Sequence, residues 1–349
     1  MTFIINLKAY FLRKLTYKNS VKFDLKSTAT ILFMRYDRIG DMIISTPVFR
    51  ELKLAHPEIR ISVLASKSNR EILANNPYVD EVITNSKNSF FRDLRSLLSL
   101  RKNKFDVCVE FDHSVVPHAI IRLKIIKPKV VISVYKDGRY GVKGSGLKLY
   151  DFFTENKKNI HLRDKCLETL LPFGILPKSN KYDVFYSPIQ KQNAKIFVNK
   201  YDGKFLIGIN LEGAVEGKRI EFSELEKICE RLYHFHQDIQ IIILTDPKKN
   251  LYVSNKIAKM NFNFVTVSYI TVTILDVAAL IANLDLIITP DTSIVHIASA
   301  FNKPIVSIHE DNRDSYELFG PTSKINRTVF SNSKTSLKGF SLDLLVSHC

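Results

Sequence analysis

The sequence predicts an α/β protein built of two Rossmann-like domains facing each other across a cleft, and three observations lead there. At 349 residues the chain exceeds the usual size of one domain, so two are expected. Short apolar runs alternate with stretches of helical spacing, the pattern of a parallel sheet covered on both faces. That alternation lapses over 175–192, ILPKSNKYDVFYSPIQKQ, and then restarts without an internal repeat. The expected divisions are a basic N-terminal segment 1–28, a first domain 29–178, a second domain 179–330, and a C-terminal segment 331–349 that packs back on the first domain as a helix.

Along 1–28, Phe3, Ile4, Leu7, Phe11 and Leu15 share one helical face, with Lys8, Arg13, Lys14 and Lys18 largely between them. Such a basic amphipathic helix either lies on an anionic membrane surface or packs on the flank of its own domain. Beyond it ATILFMRY reads as a strand, 42–55 as a helix, ISVLA as a strand and 68–75 as a helix. VDEVI, FDVCVEF and KVVISV continue the strands, with helices over 90–102 and 115–124. Residues 135–160, where Gly138, Gly141, Gly144 and Gly146 lie among lysines and tyrosines, lack a period and are predicted to be a mobile loop. A helix over 162–173 ends at Gly174. After the link, FLIGINL, IQIIILT, DLIITP and PIVSIH read as strands, and 222–235, 252–259, 273–282 and 293–301 as helices.

Composition narrows the function. With 45% hydrophobic and 25% charged residues the chain reads as soluble and globular, and no run approaches the roughly 20 apolar residues of a membrane span. Cys108, Cys166, Cys229 and Cys349 are scattered, with no CxxC spacing and no secretory leader, which fits free thiols in a reducing cytoplasm and no structural zinc. The net charge of +16 is uneven: residues 1–190 hold 33 Lys and Arg against 18 Asp and Glu, and the rest 18 against 17. The basic half is suited to a polyanion. Zinc-finger spacing, RNP-type aromatics and basic zippers are absent, which argues against nucleic acid and for an anionic membrane or a phosphorylated substrate.

Three strand–loop–helix junctions carry candidate chemistry. In MRYDRIGDMIISTP, 34–47, the glycine-rich cradles G-x-G-x-x-G and G-x-x-x-x-G-K-[ST] are both missing, so neither a dinucleotide nor a P-loop phosphate has its nest. Gly40 permits a tight turn, and Asp41 opens the following helix. The macrodipole favours a carboxylate there, either as a mere helix-terminal residue or, at the carboxyl edge of the sheet, as a general base. In LDLIITPDTSIVHIASAFNKPIVSIH, 284–309, a helix begins at Asp291-Thr292-Ser293, with His296 one turn in. Its free amides and hydroxyls make either an ordinary cap or an anion site suited to a diphosphate. In NLEGAVEGKRIEF, 210–222, Lys218 and Arg219 follow a glycine loop and are either solvated surface charges or partners of a leaving phosphate. No DxD, HExxH or G-x-S-x-G element appears.

Taken together, these stretches resemble the ADP-heptose:lipopolysaccharide heptosyltransferases, the family 9 glycosyltransferases of GT-B fold, in order over about 29–325. ILFMRYDRIGDMIISTPVFRELKLAHPEIRISVLA is similar to the family's opening strand, R-x-x-x-I-G-D loop and T-P-x-x-x-x-L-K helix. NPYVDEVI resembles the approach to its third strand, GAVEGKR its G-A…K-R-W stretch, and PDTSIVHIASAFNKPIVSIH its D-T-G-x-x-H-x-A-A-x-x-K-P segment. Departures are Ser293 for a usual glycine, Ile220 for a frequent Trp, and DPKKN after Thr245 where the family often has a donor-contacting Glu.

The resemblance implies an inverting, metal-independent transferase that needs no cofactor and moves a heptose from ADP-heptose to the inner core of lipopolysaccharide. It makes Asp41 the general base and Lys218 the diphosphate lysine. Gly40, Gly213, Ala214, Asp291, Thr292, Ser293 and His296 are then expected around the donor. Arg92, Arg95, His113, Arg139, His161 and Arg163 are expected around the phosphorylated acceptor, with the protein peripheral on the inner face of the cytoplasmic membrane. Transfer of another sugar from a nucleotide, a sugar-nucleotide epimerase or hydrolase, and a lipopolysaccharide-binding scaffold stand as alternatives.

Overall fold

A computed structural model describes residues 2–18, 24–84, 90–136, 142, 144–213 and 217–349, with side chains left aside at 2–6, 90–93 and 145. The chain divides into two units, Met1–Lys181 and Tyr182–Cys349. In the first, α1 (Thr2–Leu15) precedes β1 (Thr30–Arg35), α2 (Ile39–Ala55), β2 (Arg60–Ala65), β3 (Glu81–Thr84) and α3 (Phe90–Lys102). Then come β4 (Val107–Glu110), α4 (Pro117–Ile126), β5 (Val130–Ser133), β6 (Phe152–Phe153) and α5 (Leu162–Leu167). The second holds α6 (Pro188–Val198), β7 (Phe205–Asn210), α7 (Phe222–Phe235), β8 (Ile239–Leu244), α8 (Asn250–Met260), β9 (Val265–Val267) and α9 (Ile274–Ile281). It closes with β10 (Leu286–Pro290), α10 (Ser293–Ala300), β11 (Ile305–His309), α11 (Arg313–Phe319), β12 (Asn326–Phe330) and α12 (Leu342–Ser347).

Each unit is a six-stranded parallel sheet, ordered β3-β2-β1-β4-β5-β6 in the first and β12-β11-β10-β7-β8-β9 in the second. Strands such as ILFMR in β1 and IQIIIL in β8 are buried on both faces, as parallel strands between two helical layers must be. The two orders are the same doubly wound plan. After β1 the chain works outward one way, and from β4 the other way; β7 and β10 repeat this. Neighbouring strand ends at such a reversal leave a crevice at their carboxyl edge, where ligands of this fold class bind.

The opposite, amino-terminal edge is closed by carboxylates. Asp106 Oδ2 accepts the Ala29 and Thr30 amides at 2.9 and 3.0 Å, Asp80 Oδ2 that of Ile61 at 2.7 Å, and Asp285 that of Leu206 at 2.8 Å. Lys53 and the Ile61 amide outweigh desolvation and hold Asp80 below its usual range, as Lys129 and two amides do for Asp106. These acids are therefore structural. In α2, Pro47 cannot donate to the Ile43 carbonyl; the Thr46 hydroxyl takes that carbonyl at 2.7 Å, so the helix continues.

Several elements differ from expectation. The link over 175–192 is not bare, because α6 begins at Pro188 with Ser187 and Gln190 capping each other reciprocally. Within 135–160 the short β6 pairs with β5, and Asp151 accepts the Val131 amide at 2.7 Å. The C-terminal helix belongs to the second unit: Leu345 and Val346 join its core, and Asp343 pairs with Arg231 of α7. Helix α1 has two faces. Ala9 and Leu12 enter the first unit's core, while Leu7, Tyr10, Phe11 and Leu15 stay exposed.

Candidate functional site

At the switch point of the first unit, β1 ends at Arg35 and turns through Tyr36-Asp37-Arg38 into α2, whose first turn carries Asp41. Arg35 Nη2 donates to Asp41 Oδ1 at 3.3 Å and its Nε to the Asp41 carbonyl at 3.1 Å. The Arg38 amide donates to Asp41 Oδ2 at 3.2 Å. Asn69 fastens the turn from the side, donating to the Arg35 carbonyl at 3.0 Å while accepting the Ser66 amide at 2.8 Å. The Arg35 side chain keeps 3% exposure and that of Asp41 18%, so the anchor is sealed and the acid is reachable.

Strand β4 brings further carboxylates to the same edge. Glu110 is fully buried, ion-paired with the equally buried Lys136, and accepts the Tyr150 hydroxyl at 3.2 Å and the Asp112 amide at 2.8 Å. Lys136 also donates to the Asp112 carbonyl at 2.6 Å. This pair fixes the backbone of Asp112, whose carboxyl shares a hydrogen bond with Asp37. Burial, then the charge of Asp112, pushes Asp37 up to about 6. Burial, then the charge and hydrogen bond of Glu110, raises Asp112, with Arg35 and Lys136 opposing. Arg35 thus sits in the field of Asp41, Asp37 and Asp112.

The described acceptor-side candidates come from three places in the first unit: the end of β4, α3, and the start of α5. His113 is half-buried just after β4. Arg95 is exposed on α3. His161 caps α5, its Nδ1 accepting the Arg163 amide at 3.0 Å, and the Arg163 guanidinium is engaged by Asp164 through two bonds of 2.9 Å. Arg139 and the side chain of Arg92 lie outside the described residues.

In the second unit the corresponding junction is tied by Asn210 at the end of β7. Its amide nitrogen lies 3.0 Å from Thr289 Oγ1, 3.2 Å from Thr292 Oγ1 and 3.0 Å from the Glu212 carbonyl. Thr292 caps α10, its Oγ1 accepting the Ile294 amide at 3.3 Å. Asp291 and Ser293 flank it, half-buried, while His296 is buried with its ring edge-on to Tyr182 at 6.0 Å. The loop after β7 folds tightly on itself: a Cβ at Gly213 would run into the Lys218 carbonyl, so glycine is required for this approach. Ala214 lies outside the described residues, and Gly40 is buried in the first turn of α2.

Lys218 is not a solvated surface charge. Its Nζ stands 2.7 Å from Glu310 Oε2, with the two side chains 18% and 12% exposed. Glu310 follows β11 directly, and before it the His309 imidazole is pushed down to about 4, by burial first and with Lys218 adding to it, against the pull of Glu310. Among the described residues, no group of three His, Cys, Asp or Glu side chains is placed to hold a metal ion.

Residues 98–341, well over half of the chain, match glycosyltransferase family 9 (heptosyltransferase). The chain belongs to that family. It is therefore a glycosyltransferase, and it is 24% identical over 303 residues to lipopolysaccharide heptosyltransferase 3 of Escherichia coli, covering 84% of each chain. Its GT-B fold of two Rossmann-like units is similar to the solved family 9 glycosyltransferase of Veillonella parvula, with a TM-score of 0.75, 17% identity, and 93% and 97% of the two chains covered. It is also similar to E. coli heptosyltransferase WaaC solved with ADP, with a TM-score of 0.69, 13% identity, and 91% and 96% covered.

In this family 9 chain, sequence reasoning passed over Asp37, Glu110, Asp112, Asn210 and Glu310, and took Arg35 only as the first position of the R-x-x-x-I-G-D loop. One signal was readable: Glu110 and Asp112, two apart in VCVEFD, fall on one side of an extended chain at its carboxyl end. The pairing of Lys218 with Glu310 has no local signature, because the fold brings together loops from strands far apart in the chain.

Proposed function

We propose that this glycosyltransferase moves a heptose from ADP-heptose to a hydroxyl of the inner core of lipopolysaccharide, inverting the anomeric carbon. Asp41 carries the reading: a reachable carboxylate at the carboxyl edge of the first sheet, held by Arg35 and the Arg38 amide. The names borne by relatives point to the same donor and acceptor. Asp41 accepts the proton of the acceptor hydroxyl as its oxygen attacks the anomeric carbon on the face opposite the diphosphate. The bond from that carbon to the diphosphate oxygen breaks, and ADP departs with the electron pair. Lys218 and the start of α10 at Thr292 and Ser293 offset the charge that develops on the leaving diphosphate.

The acceptor is a phosphorylated lipid, and the excess positive charge of residues 1–190 suits it and an anionic membrane surface. Among the described residues no helix is long and apolar enough to cross a membrane. The exposed face of α1 joins apolar side chains to Lys8, Arg13 and Lys14, which suits peripheral binding at the inner face of the cytoplasmic membrane.

The test is incubation of the full chain with a panel of sugar nucleotides and truncated core acceptors, read by mass. The expected result is one heptose added to acceptor, from ADP-heptose, only when both are present. Donor consumed without acceptor indicates an epimerase or hydrolase, and nucleotide bound without turnover indicates a scaffold; either overturns the proposal.

A further inference from the structure

We infer that Glu310 sets the charge preference of the donor site, disfavouring the product nucleoside diphosphate more than the sugar-linked donor. The inference rests on the reading that Lys218 faces the diphosphate.

A lysine that receives a diphosphate is ordinarily left open to it. Here the ammonium is already matched, 2.7 Å from Glu310 Oε2. Both side chains are more than four-fifths buried, so the pair is shielded from salt more than a surface pair would be. The loop that carries Lys218 is held by the close approach of Gly213 to the Lys218 carbonyl. Glu310 is held by its place directly after β11, whose last residue, His309, pairs in register with Phe330 of β12. Neighbouring His309 is pushed down to about 4, chiefly by burial, so it brings no second cation to the pair at neutral pH. Lys218 and Glu310 therefore present little net charge, and an arriving diphosphate meets a carboxylate beside its counter-ion.

That carboxylate acts unequally on donor and product. The diphosphate of a nucleotide sugar is esterified at both ends. After transfer its terminal phosphate is a monoester and carries about one more negative charge. The added charge appears on the phosphate nearest the sugar, within the diphosphate to which Lys218 is assigned. Repulsion from Glu310 thus grows at the moment the sugar leaves, which favours release of the nucleoside diphosphate. Glutamine at this position keeps the size of the side chain while removing the negative charge, so the repulsion goes.

Calorimetric titration of ADP and of ADP-heptose into the full-length protein, with Glu310→Gln and Lys218→Ala alongside, tests this. Glu310→Gln is expected to tighten ADP on the order of tenfold and ADP-heptose by clearly less, with stronger product inhibition in turnover. A merely structural role for Glu310 does not produce tighter binding. ADP affinity unchanged or weakened in Glu310→Gln, or equal gains for both nucleotides, overturns the inference while leaving the donor site intact if Lys218→Ala still loses ADP. Unchanged ADP affinity in Lys218→Ala overturns the donor-site reading itself.

Discussion

Asp37 and Asp112 are carboxylates that the fold holds against their own ionisation. Asp37 is pushed up to about 6 by burial and then by Asp112, and Asp112 is raised by burial and then by Glu110. For both, the folded value lies above the ordinary 3.8, so between those values the folded chain holds more protons than the unfolded one. The stability these groups contribute is complete below about 4 and is lost as pH rises through about 6 and beyond. Asp112→Asn leaves in place the backbone bonds to Glu110 and Lys136 and carries no charge at any pH. Its thermal midpoint is expected above that of the native protein at pH 8, with the difference closing toward pH 4. A variant less stable than the native protein across the whole range would show that the ionised Asp112 is a stabilising partner. The same residues mark the limit of legibility at this scale. Asp41 and Thr292 were readable because each sits in a local strand–loop–helix pattern, whereas Asp37 is raised only once β4 sets Asp112 nearby, and Lys218 gains its partner only once β11 supplies Glu310.

Among the elements, helix α1 shows how one periodicity serves two surfaces. Ala9, Leu12 and Thr16 are buried, while the apolar residues that the sequence grouped on one face, Leu7, Phe11 and Leu15, stay exposed beside Tyr10. The buried side of this helix is a domain flank, and the exposed side is the one the proposed membrane binding would use. Removing the helix would strip the core of Leu12, so the exposed side has to be tested alone. Phe11→Ser with Leu15→Ser is expected to weaken flotation with anionic vesicles by on the order of tenfold or more, given about 1.5–3 kcal/mol for a fully buried side chain of this size. Turnover of a soluble acceptor should be unchanged. Unaltered flotation would remove α1 from the docking surface. Elsewhere the long apolar strands were legible from burial on both faces, but β9 and β6 are too short to show a period, and α11 is polar and capped by Asn312. Helix α6 hid behind Pro188 and a polar sequence, although Ser187 and Gln190 at capping-box spacing announced its start.

For the whole molecule, two sheets of identical strand order carry different chemistry at equivalent junctions. The first, in the basic half of the chain, follows β1 with Asp37 and Asp41 and ends β4 in Glu110; the second ends β7 in Asn210 and follows β10 with Thr292 and a helix start, with Lys218 in the loop after β7. Length, alternation and the break near 175–192 made the two-unit plan legible, and the units divide between Lys181 and Tyr182. The division of labour proposed for them, proton acceptance in the first unit and diphosphate binding in the second, is the central claim. Asp41→Asn tests it most directly, measured in the full chain for both turnover and ADP affinity. The side chain keeps its size and its oxygen toward Arg35 but loses the capacity to take a proton. The expected result is turnover lower by roughly 10²–10⁴ with ADP affinity unchanged. Lost ADP binding with turnover per bound donor retained would contradict it, making Asp41 a residue of the phosphate site or of the helix end rather than the base.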